Sequence, residues 1–244
     1  MDIKISVLIP MYNAGKYIQE AVKSVVAQGV RNYELIIVDD GSEDDSFNCA
    51  CDVLKEIYSD RDFRNSSGCC VSLIRMPHRG QAAARNTALS YAKGRWIFYL
   101  DADDVLTEGA ITALLSAADD HKDSSVICSC CEDFISPELS EDEAFRLEAN
   151  TEPYRRMLAG CLLIRREVFE TVGNYDESLS SSETAQWMLR MQDSHEFAVH
   201  NIDYVTLRRR YHLNNFGRRA KQTQLDSYMA IIRQRISSRK AEKE

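Results

Sequence analysis

Short apolar runs alternate with helical stripes along the first half of the chain. Four runs rich in β-branched and aromatic residues, bounded by polar or turn residues, predict strands over residues 4–9, 34–38, 71–76 and 96–100. Between them, apolar residues recur at helical spacing. The stripes are Ile18, Ala21, Val22, Val25 and Val26, then Phe47, Cys51, Leu54 and Tyr58, and then Ile111, Leu114, Leu115 and Ala118. This alternation predicts an α/β fold, with a mostly parallel, doubly wound sheet and helices on both faces.

Beyond residue 131 the pattern is less regular. Residues 126–131 predict a fifth strand, and residues 157–164 predict another. The segment 132–152 is acidic, with Arg146 as its only basic residue, which predicts a solvated loop or a short amphipathic segment. Helices are predicted over 165–172 and 183–191.

The end of the chain predicts a basic amphipathic helix within residues 218–244. Leu225, Met229, Ile232 and Ile236 share one face, and arginine and lysine residues surround them. Such a helix can make weak contact with an anionic membrane surface, or it can pack against its own domain and solvate its charges. We favour packing against the domain.

Composition narrows the class of protein. A chain of 244 residues with 44% hydrophobic residues can form one large domain, or one domain with an appended lobe. A net charge of −8 argues against nucleic acid as a partner. No apolar run has membrane-spanning length and no signal-peptide pattern opens the chain, so we expect a cytoplasmic protein, or one peripheral at the inner membrane face. Its eight cysteines are then expected to be reduced packing residues.

Three carboxylates follow the predicted strand 96–100 almost immediately. Asp101 and Asp103 are two positions apart, so on an extended chain they share a face and can bind one hard cation, such as Mn²⁺ or Mg²⁺. The alternative is an acidic turn that caps the helix beginning near Thr107, because aspartate is a good N-cap residue. Both interpretations fit this segment taken alone.

Other polar segments also follow the predicted strands, and in a parallel sheet they meet at one edge. They are residues 10–15, 39–42, 79–81, 85–86 and 101–103. A tyrosine can stack on a base, carboxylates can accept hydrogen bonds from a base or a ribose, and arginines pair with phosphate oxygens. A cation held by carboxylates neutralises a diphosphate. The set predicts a nucleoside-diphosphate site.

The same segments carry a resemblance to a known family. Residues 6–13 read SVLIPMYN, 37–42 read IVDDGS, 85–89 read RNTAL and 94–104 read GRWIFYLDADD, and residues 165–169, 172–177 and 183–190 continue the pattern in order. In this order and spacing the chain resembles family 2 glycosyltransferases of the GT-A fold over roughly residues 4–215. The resemblance implies a nucleotide-sugar-binding half over 1–131 and an acceptor-side, catalytic half over 132–217, followed by a C-terminal helical extension.

The resemblance also implies roles for individual residues. Tyr12 and Asp40, with Asp39 nearby, would hold the nucleoside, and Arg79 and Arg85 would lie near the diphosphate. Asp103 would bind the metal ion, Asp101 would contact the ribose or the metal, and His212 is either a further metal ligand or a surface or core imidazole. The donor-binding set is Pro10, Tyr12, Asn13, Asp39, Asp40, Arg79, Gly80, Arg85, Asp101, Ala102 and Asp103.

One position departs from the family pattern. Thr184 occupies the place of the aspartate that serves as general base, and a hydroxyl is a poor base. Glu183, Asp176 or Glu177 could replace that aspartate, or the acceptor could need little help from a base. The alternative is a catalytically weak or silent nucleotide-sugar-binding protein.

The implied reaction is an inverting, metal-dependent transfer from a UDP-sugar. The acceptor class stays open between a glycan, a lipid-linked glycan and a peptide, and no oligomeric state follows. Two other enzyme classes fit less well. A Rossmann dehydrogenase would need a glycine-rich first turn, and an aspartyl phosphatase would need threonine in place of Val105.

Overall fold

One mixed sheet of eight strands organises the part of the chain that the structure describes. The structure is a computed structural model and describes residues 3–60, 69–147, 149–179, 181–194 and 196–213. The strands are β1 (Ile5–Met11), β2 (Tyr33–Asp39), β3 (Cys70–Arg75), β4 (Trp96–Tyr99), β5 (Val105–Leu106), β6 (Ser124–Ile135), β7 (Leu162–Arg165) and β8 (Ala198–Tyr211). The helices are α1 (Ile18–Val26), α2 (Ser46–Ser59), α3 (Gln81–Tyr91), α4 (Ala110–Asp120), α5 (Glu141–Phe145), α6 (Arg166–Val172) and α7 (Glu183–Asp193), with a 3₁₀ turn at Ala159–Cys161.

The strand order is β3-β2-β1-β4-β7-β6-β8-β5. Pairs among the first four strands are all parallel. Strand β7 is antiparallel to both of its neighbours, β8 is parallel to β6, and β5 is antiparallel to β8. The loops that follow β1, β2, β3 and β4 therefore open at one edge of the sheet, where open α/β folds bind ligands.

Helices cover both faces of the sheet, as the hydrophobic pattern predicts. Every residue of β1 and β2 is buried, which explains why both read as continuous apolar runs. Alternate residues point to opposite faces: Val7 packs with α1, α2 and α4, whereas Leu8 packs with α3, α6 and α7. The prediction of an α/β fold with a mostly parallel sheet is confirmed.

Strands β7 and β8 of the second half differ from the sequence-based expectations. Strand β8 was not predicted, because its exposed and charged residues hide the strand pattern. Strand β7 begins at Leu162 rather than at residue 157. The chain enters it through a tight turn at Gly160, where an added Cβ would lie 2.9 Å from Leu207 Cδ2 on β8.

The acidic segment 132–152 combines several structures. Strand β6 continues to Ile135, and the short helix α5 follows. Ser140 and Glu143 form a capping box at the start of α5, which explains a helical turn in so polar a stretch. The amphipathic helix predicted within 218–244 lies outside the described residues. None of the described helices combines the length and the apolar composition that a bilayer crossing requires.

Gly94 permits a close approach between two strands. A Cβ at this position would lie 2.6 Å from the backbone nitrogen of Ser6 in β1. The buried carboxylate of Glu34 accepts hydrogen bonds from the Ser6 hydroxyl at 2.5 Å and from the Gly94 N–H at 3.0 Å. This junction ties β1, β2 and the start of β4 together at the edge opposite the ligand-binding loops.

Candidate functional site

A cleft of about 2030 Å³ opens at the carboxyl edge of the parallel strands. Loops after β1, β2, β3 and β4 form one side of it, and residues 156–160, the loop before α7 and the end of β8 form the rest. Single-ligand pockets are typically about 300–1,000 Å³, so this cleft has room for two substrates. The predicted site residues that line it are Pro10, Tyr12, Asn13, Asp40, Arg79, Gly80, Arg85, Asp101, Ala102, Asp103, Glu183, Thr184 and His212.

An aromatic stack and a buried carboxylate form the first corner of the cleft. The half-exposed ring of Tyr12 stacks on His78, with 4.1 Å between the ring centroids and 20° between the planes. Asp40 is buried and accepts the backbone N–H groups of Arg79 and Gly80, each at 2.8 Å. Its Oδ2 also lies 2.9 Å from His78 Nδ1. Asp40 therefore fixes the loop after β3 against the end of β2 and holds the imidazole beside Tyr12.

Asp39 and Asn13 support these loops from different positions. Asp39 is fully buried, accepts a backbone N–H of its own loop, and has Oδ2 3.2 Å from Arg75 Nε. It does not line the cleft, whereas its neighbour Asp40 does. Asn13 lines the cleft with a positive φ of 50°, and its side-chain oxygen accepts the Glu43 N–H at 2.9 Å.

A buried arginine connects the two sides of the cleft. Arg85 Nη2 lies 2.8 Å from Asp101 Oδ1, and its Nη1 donates to Glu183 Oε1 and, at 2.9 Å, to Thr184 Oγ1. Burial alone would lower the pKa of Arg85, but the charges of Asp101 and Glu183 more than offset this, so the pKa is raised and the guanidinium stays charged. Helix α3 thereby holds the carboxylates on the loop after β4 and on α7 in place.

The loop before α7 is anchored to α3 by a second polar network. Arg79 Nη2 lies 2.6 Å from Glu177 Oε2, and Asn86 Nδ2 donates to Glu177 Oε1 at 3.0 Å. Asn86 also forms two hydrogen bonds with the backbone of Tyr175, at 2.9 and 3.0 Å. Arg79, which we expected near a diphosphate, is thus paired with a carboxylate in this structure.

The three carboxylates considered as general base have different surroundings. Glu183 is buried and paired with Arg85, and Glu177 is more exposed and paired with Arg79; both line the cleft. Asp176 does not line it, and its Oδ1 accepts the N–H and hydroxyl of Ser178 within its own turn. These hydrogen bonds lower the pKa of Asp176.

The end of β8 brings a histidine next to the acidic loop. His212 Nε2 lies 3.0 Å from Asp103 Oδ2, and the buried imidazole packs against the ring of Tyr17. Arg210 positions this end of the chain, since its N–H donates to Asp104 Oδ1 at 2.9 Å and its Nε donates to the Asp103 carbonyl at 2.8 Å.

Asp103 and His212 have the chemistry of a partial metal site. Carboxylate oxygen and imidazole nitrogen are both suitable ligands for Mn²⁺, and the two side chains meet at the cleft. Asp101 Oδ1 is instead paired with Arg85, and the described residues contain no group of three acidic, histidine or cysteine ligands around one point. Two protein ligands suffice where phosphate oxygens and water complete the coordination, as is usual for Mg²⁺ in nucleotide sites. The pair fits a divalent ion of that kind.

Some cleft residues were not anticipated from the sequence. His78 directly precedes Arg79 after a predicted strand, and this position was a signal that could have identified it. No sequence signal identifies Arg156 or Arg209 as a cleft residue, because each stands beside another arginine that does not face the cleft. Arg155 pairs with Asp203 at 2.6 Å and Arg208 with Glu132 at 3.2 Å, so neither neighbour lines the cleft.

Comparison with known protein sequences finds matches among glycosyltransferases. The family model described as "Glycosyl transferase family 2" matches residues 6–173. Glycosyltransferase GlyG of Streptococcus pneumoniae is 37% identical over 128 residues, covering 52% of this chain and 38% of that protein. The minor teichoic acid biosynthesis protein GgaB of Bacillus subtilis is 28% identical over 191 residues, covering 74% of this chain and 20% of that protein. The chain therefore spans less than half the length of either relative.

Solved structures share the architecture at low sequence identity. The crystal structure of S. aureus TarS 1–349 in complex with UDP-GlcNAc has a TM-score of 0.64 and 20% identity, and the match covers 87% of this chain and 60% of that one. The mannosyltransferase PcManGT from Pyrobaculum calidifontis, in complex with GDP-Man and Mn²⁺, has a TM-score of 0.67 and 18% identity, with 96% and 65% covered. These likenesses confirm the expected GT-A fold.

Proposed function

The chain belongs to glycosyl transferase family 2, and from this premise we propose that it transfers a sugar from a UDP-sugar to an acceptor, with inversion and with a divalent metal ion. One observation carries the proposal. A stacking tyrosine, a buried carboxylate beside it, charged arginines and the Asp103–His212 pair all border one cleft, although they come from distant parts of the chain. Each is suited to a different part of a nucleoside diphosphate.

Donor binding is assigned to the side of the cleft formed by the parallel strands. Tyr12 offers a ring face to the base, and Asp40 can accept a base or ribose hydrogen bond through the lone pairs that the loop amides leave. Arg79 binds the diphosphate once it releases Glu177. TarS with UDP-GlcNAc and PcManGT with GDP-Man are nucleotide-sugar complexes of the same fold and support this assignment.

The metal ion belongs at Asp103 and His212. When bound there, a divalent ion supplies positive charge to the departing diphosphate. The protein's own part is to hold the carboxylate and the imidazole side by side, which the hydrogen bonds between Arg210 and the acidic loop achieve. PcManGT, in its complex with Mn²⁺, supports a metal in a site of this fold.

Glu183 is proposed as the general base. It lines the cleft, is oriented by Arg85, and stands next to Thr184, whose hydroxyl is too weakly basic for the task. In the proposed step the acceptor hydroxyl gives its proton to Glu183, and its oxygen bonds to the anomeric carbon opposite the UDP. The bond between that carbon and the diphosphate oxygen breaks, and UDP leaves with the electron pair.

A panel of UDP-sugars, with GDP-mannose as the contrasting nucleotide, tests the proposal. UDP or GDP release and calorimetric binding would be measured with and without Mn²⁺. We expect at least one UDP-sugar to bind and to release UDP in a Mn²⁺-dependent manner. Absence of binding heat for every sugar nucleotide, with or without the metal, would refute the assignment.

Thr184 favours a second candidate function, a nucleotide-sugar-binding protein with little or no transferase activity. This protein would bind UDP-sugars with the same residues but would lack an effective base. Thermal stabilisation by UDP and Mn²⁺ is expected in both cases. Only turnover of the donor separates them, so the UDP-release measurement decides.

A further inference from the structure

Among the residues that the structure describes, two arginines of the cleft form no close ion pair with a carboxylate. Arg79 and Arg85 form ion pairs at 2.6 and 2.8 Å. Arg156 and Arg209 also line the cleft, but among the described residues neither has a carboxylate within ion-pairing distance. Both lie on the side of the cleft that the proposed function leaves for the acceptor.

These two guanidinium groups belong to one wall of the cleft. Arg156 begins the segment that enters the tight turn at Gly160, and this turn packs against Leu207, two residues before Arg209. Arg209 Nη1 lies 3.4 Å from the Tyr211 hydroxyl. The packing of this turn against β8 therefore places both arginines on the same wall of the cleft.

The surroundings of the two arginines favour a ligand that is anionic at one point. Arg156 is exposed and Arg209 is half-buried, so a ligand in the cleft can reach both guanidinium groups. Next to them, Met157 is 42% exposed and Leu158 is half-buried, which provides apolar contact beside the charge. A guanidinium fork matches the oxygens of a phosphate group in a bidentate manner.

We propose that the acceptor carries a phosphate group, which Arg156 and Arg209 bind while its hydroxyl faces Glu183. The inference rests on the proposed function, because it assigns the donor diphosphate to the other side of the cleft. Phosphate of this kind can come from a lipid-linked acceptor, whose chain would cover Met157, or from a polyol phosphate. The chemistry that the two arginines recognise is the same in both.

The test measures phosphate binding to the full chain saturated with UDP and Mn²⁺, so that the donor site is already filled. The calorimetric probes are octyl phosphate, glycerol 3-phosphate and the neutral octyl glucoside. The variants are Arg156→Gln and Arg209→Gln, with Arg155→Gln and Arg208→Gln as matched controls outside the cleft. Arg156 is exposed, so its variant is expected to fold even if that of Arg209 does not.

We expect the phosphates to bind and octyl glucoside not to bind. Arg156→Gln and Arg209→Gln should each lower phosphate affinity about tenfold, because a charge-assisted hydrogen bond is lost. The control variants should leave it unchanged, and all four should keep the affinity for UDP. Octyl phosphate binding tenfold more tightly than glycerol phosphate would indicate the lipid-linked source, and equal binding the polyol source.

Three results would overturn the inference. They are no phosphate binding to the UDP-saturated chain, equal binding of octyl glucoside, or phosphate affinity that Arg156→Gln leaves intact. A parallel loss of UDP affinity in the variants would assign the arginines to the donor and would equally reject an acceptor role. Failure of the proposed function is distinct, since UDP itself would then produce no binding heat.

Discussion

Replacing Glu183 with glutamine tests the central element of the mechanism. The substitution keeps the size of the side chain and an oxygen that can accept from Arg85, but it removes the basic carboxylate. Glu183 and Arg85 are both buried, with side-chain exposures of 6% and 4%. Water therefore compensates little for the lost negative charge, and the positive charge of Arg85 is left with one carboxylate partner fewer. The change therefore affects stability as well as catalysis, and the two effects need separate estimates.

The stability cost follows from what remains around Arg85. Removing one partner of a buried ion pair commonly costs roughly 3–5 kcal/mol, because the other charge is left without compensation. Here Asp101 still lies 2.8 Å from the guanidinium. We therefore expect a smaller loss of about 2 kcal/mol, which corresponds to a fall in Tm of about 4–8 °C for a chain of this size.

The catalytic effect should be much larger than the loss of folded protein. Loss of a general base lowers kcat by about 100-fold or more. The Kd for UDP should change little, since a glutamine oxygen can still accept the hydrogen bond from Arg85 that holds this donor-binding residue in place. The assay is UDP release from the donor that the panel identifies, measured well below the Tm of the variant. Calorimetry with UDP and Mn²⁺ confirms that the donor site is intact.

Glu177→Gln is the matched control. Glu177 lines the same cleft, but its partner Arg79 is 59% exposed, so breaking this pair should cost less than about 1 kcal/mol. We expect kcat within a few-fold of the wild-type value. If Glu183→Gln keeps its kcat while Glu177→Gln loses it, the base is Glu177 and the assignment is wrong. If both variants keep kcat, neither carboxylate is the base.

Three further predictions concern the metal pair, the departure from the family pattern and the fold. Asp103→Asn and His212→Gln should each weaken UDP binding in the presence of Mn²⁺ about tenfold or more. The control His200→Gln, which lies outside the cleft, should not weaken it. An unchanged calorimetric affinity for UDP in the first two variants would exclude Asp103 and His212 as metal ligands. Thr184→Asp should raise kcat about tenfold. If the rate of UDP release does not rise, the missing aspartate does not limit catalysis. Gly94→Ala should lower the free energy of unfolding by about 3 kcal/mol, because its Cβ would press on the backbone of β1; urea denaturation with an unchanged midpoint would contradict the close contact.

Much of the first half of the fold could be predicted from short stretches of the sequence. The apolar runs that predicted strands at residues 4–9 and 34–38 correspond to β1 and β2, buried on both faces. The stripe that begins at Ile18 corresponds to α1, whose apolar face packs on the sheet. Buried positions recur every second residue in a strand and every three to four residues in a helix, so apolar residues recur in the sequence with the same period. This period can be recognised without knowing what the element packs against.

The position of the cleft could also be predicted, because the ends of parallel strands share one edge. This rule placed Tyr12, Asp40, Arg85 and Asp103 together, and all four line the cleft. It also placed Asp39 there, but that side chain is turned into the fold and stabilises its own loop. Neighbouring residues on a strand point to opposite faces, so two adjacent aspartates cannot have the same surroundings.

The sequence alone determined the alternation of strands and helices in the first half of the chain, the edge at which the site forms and the residue types available there. Tertiary structure decided which of those residues meet. Arg85 reaches Glu183 and Thr184 across almost one hundred residues, and His212 reaches Asp103 only because β8 joins the sheet. The reason is physical. Burial of apolar side chains produces a periodic pattern in neighbouring positions of the sequence. The partner of a charged side chain depends instead on how distant segments of the chain are brought together, and no local pattern contains that information.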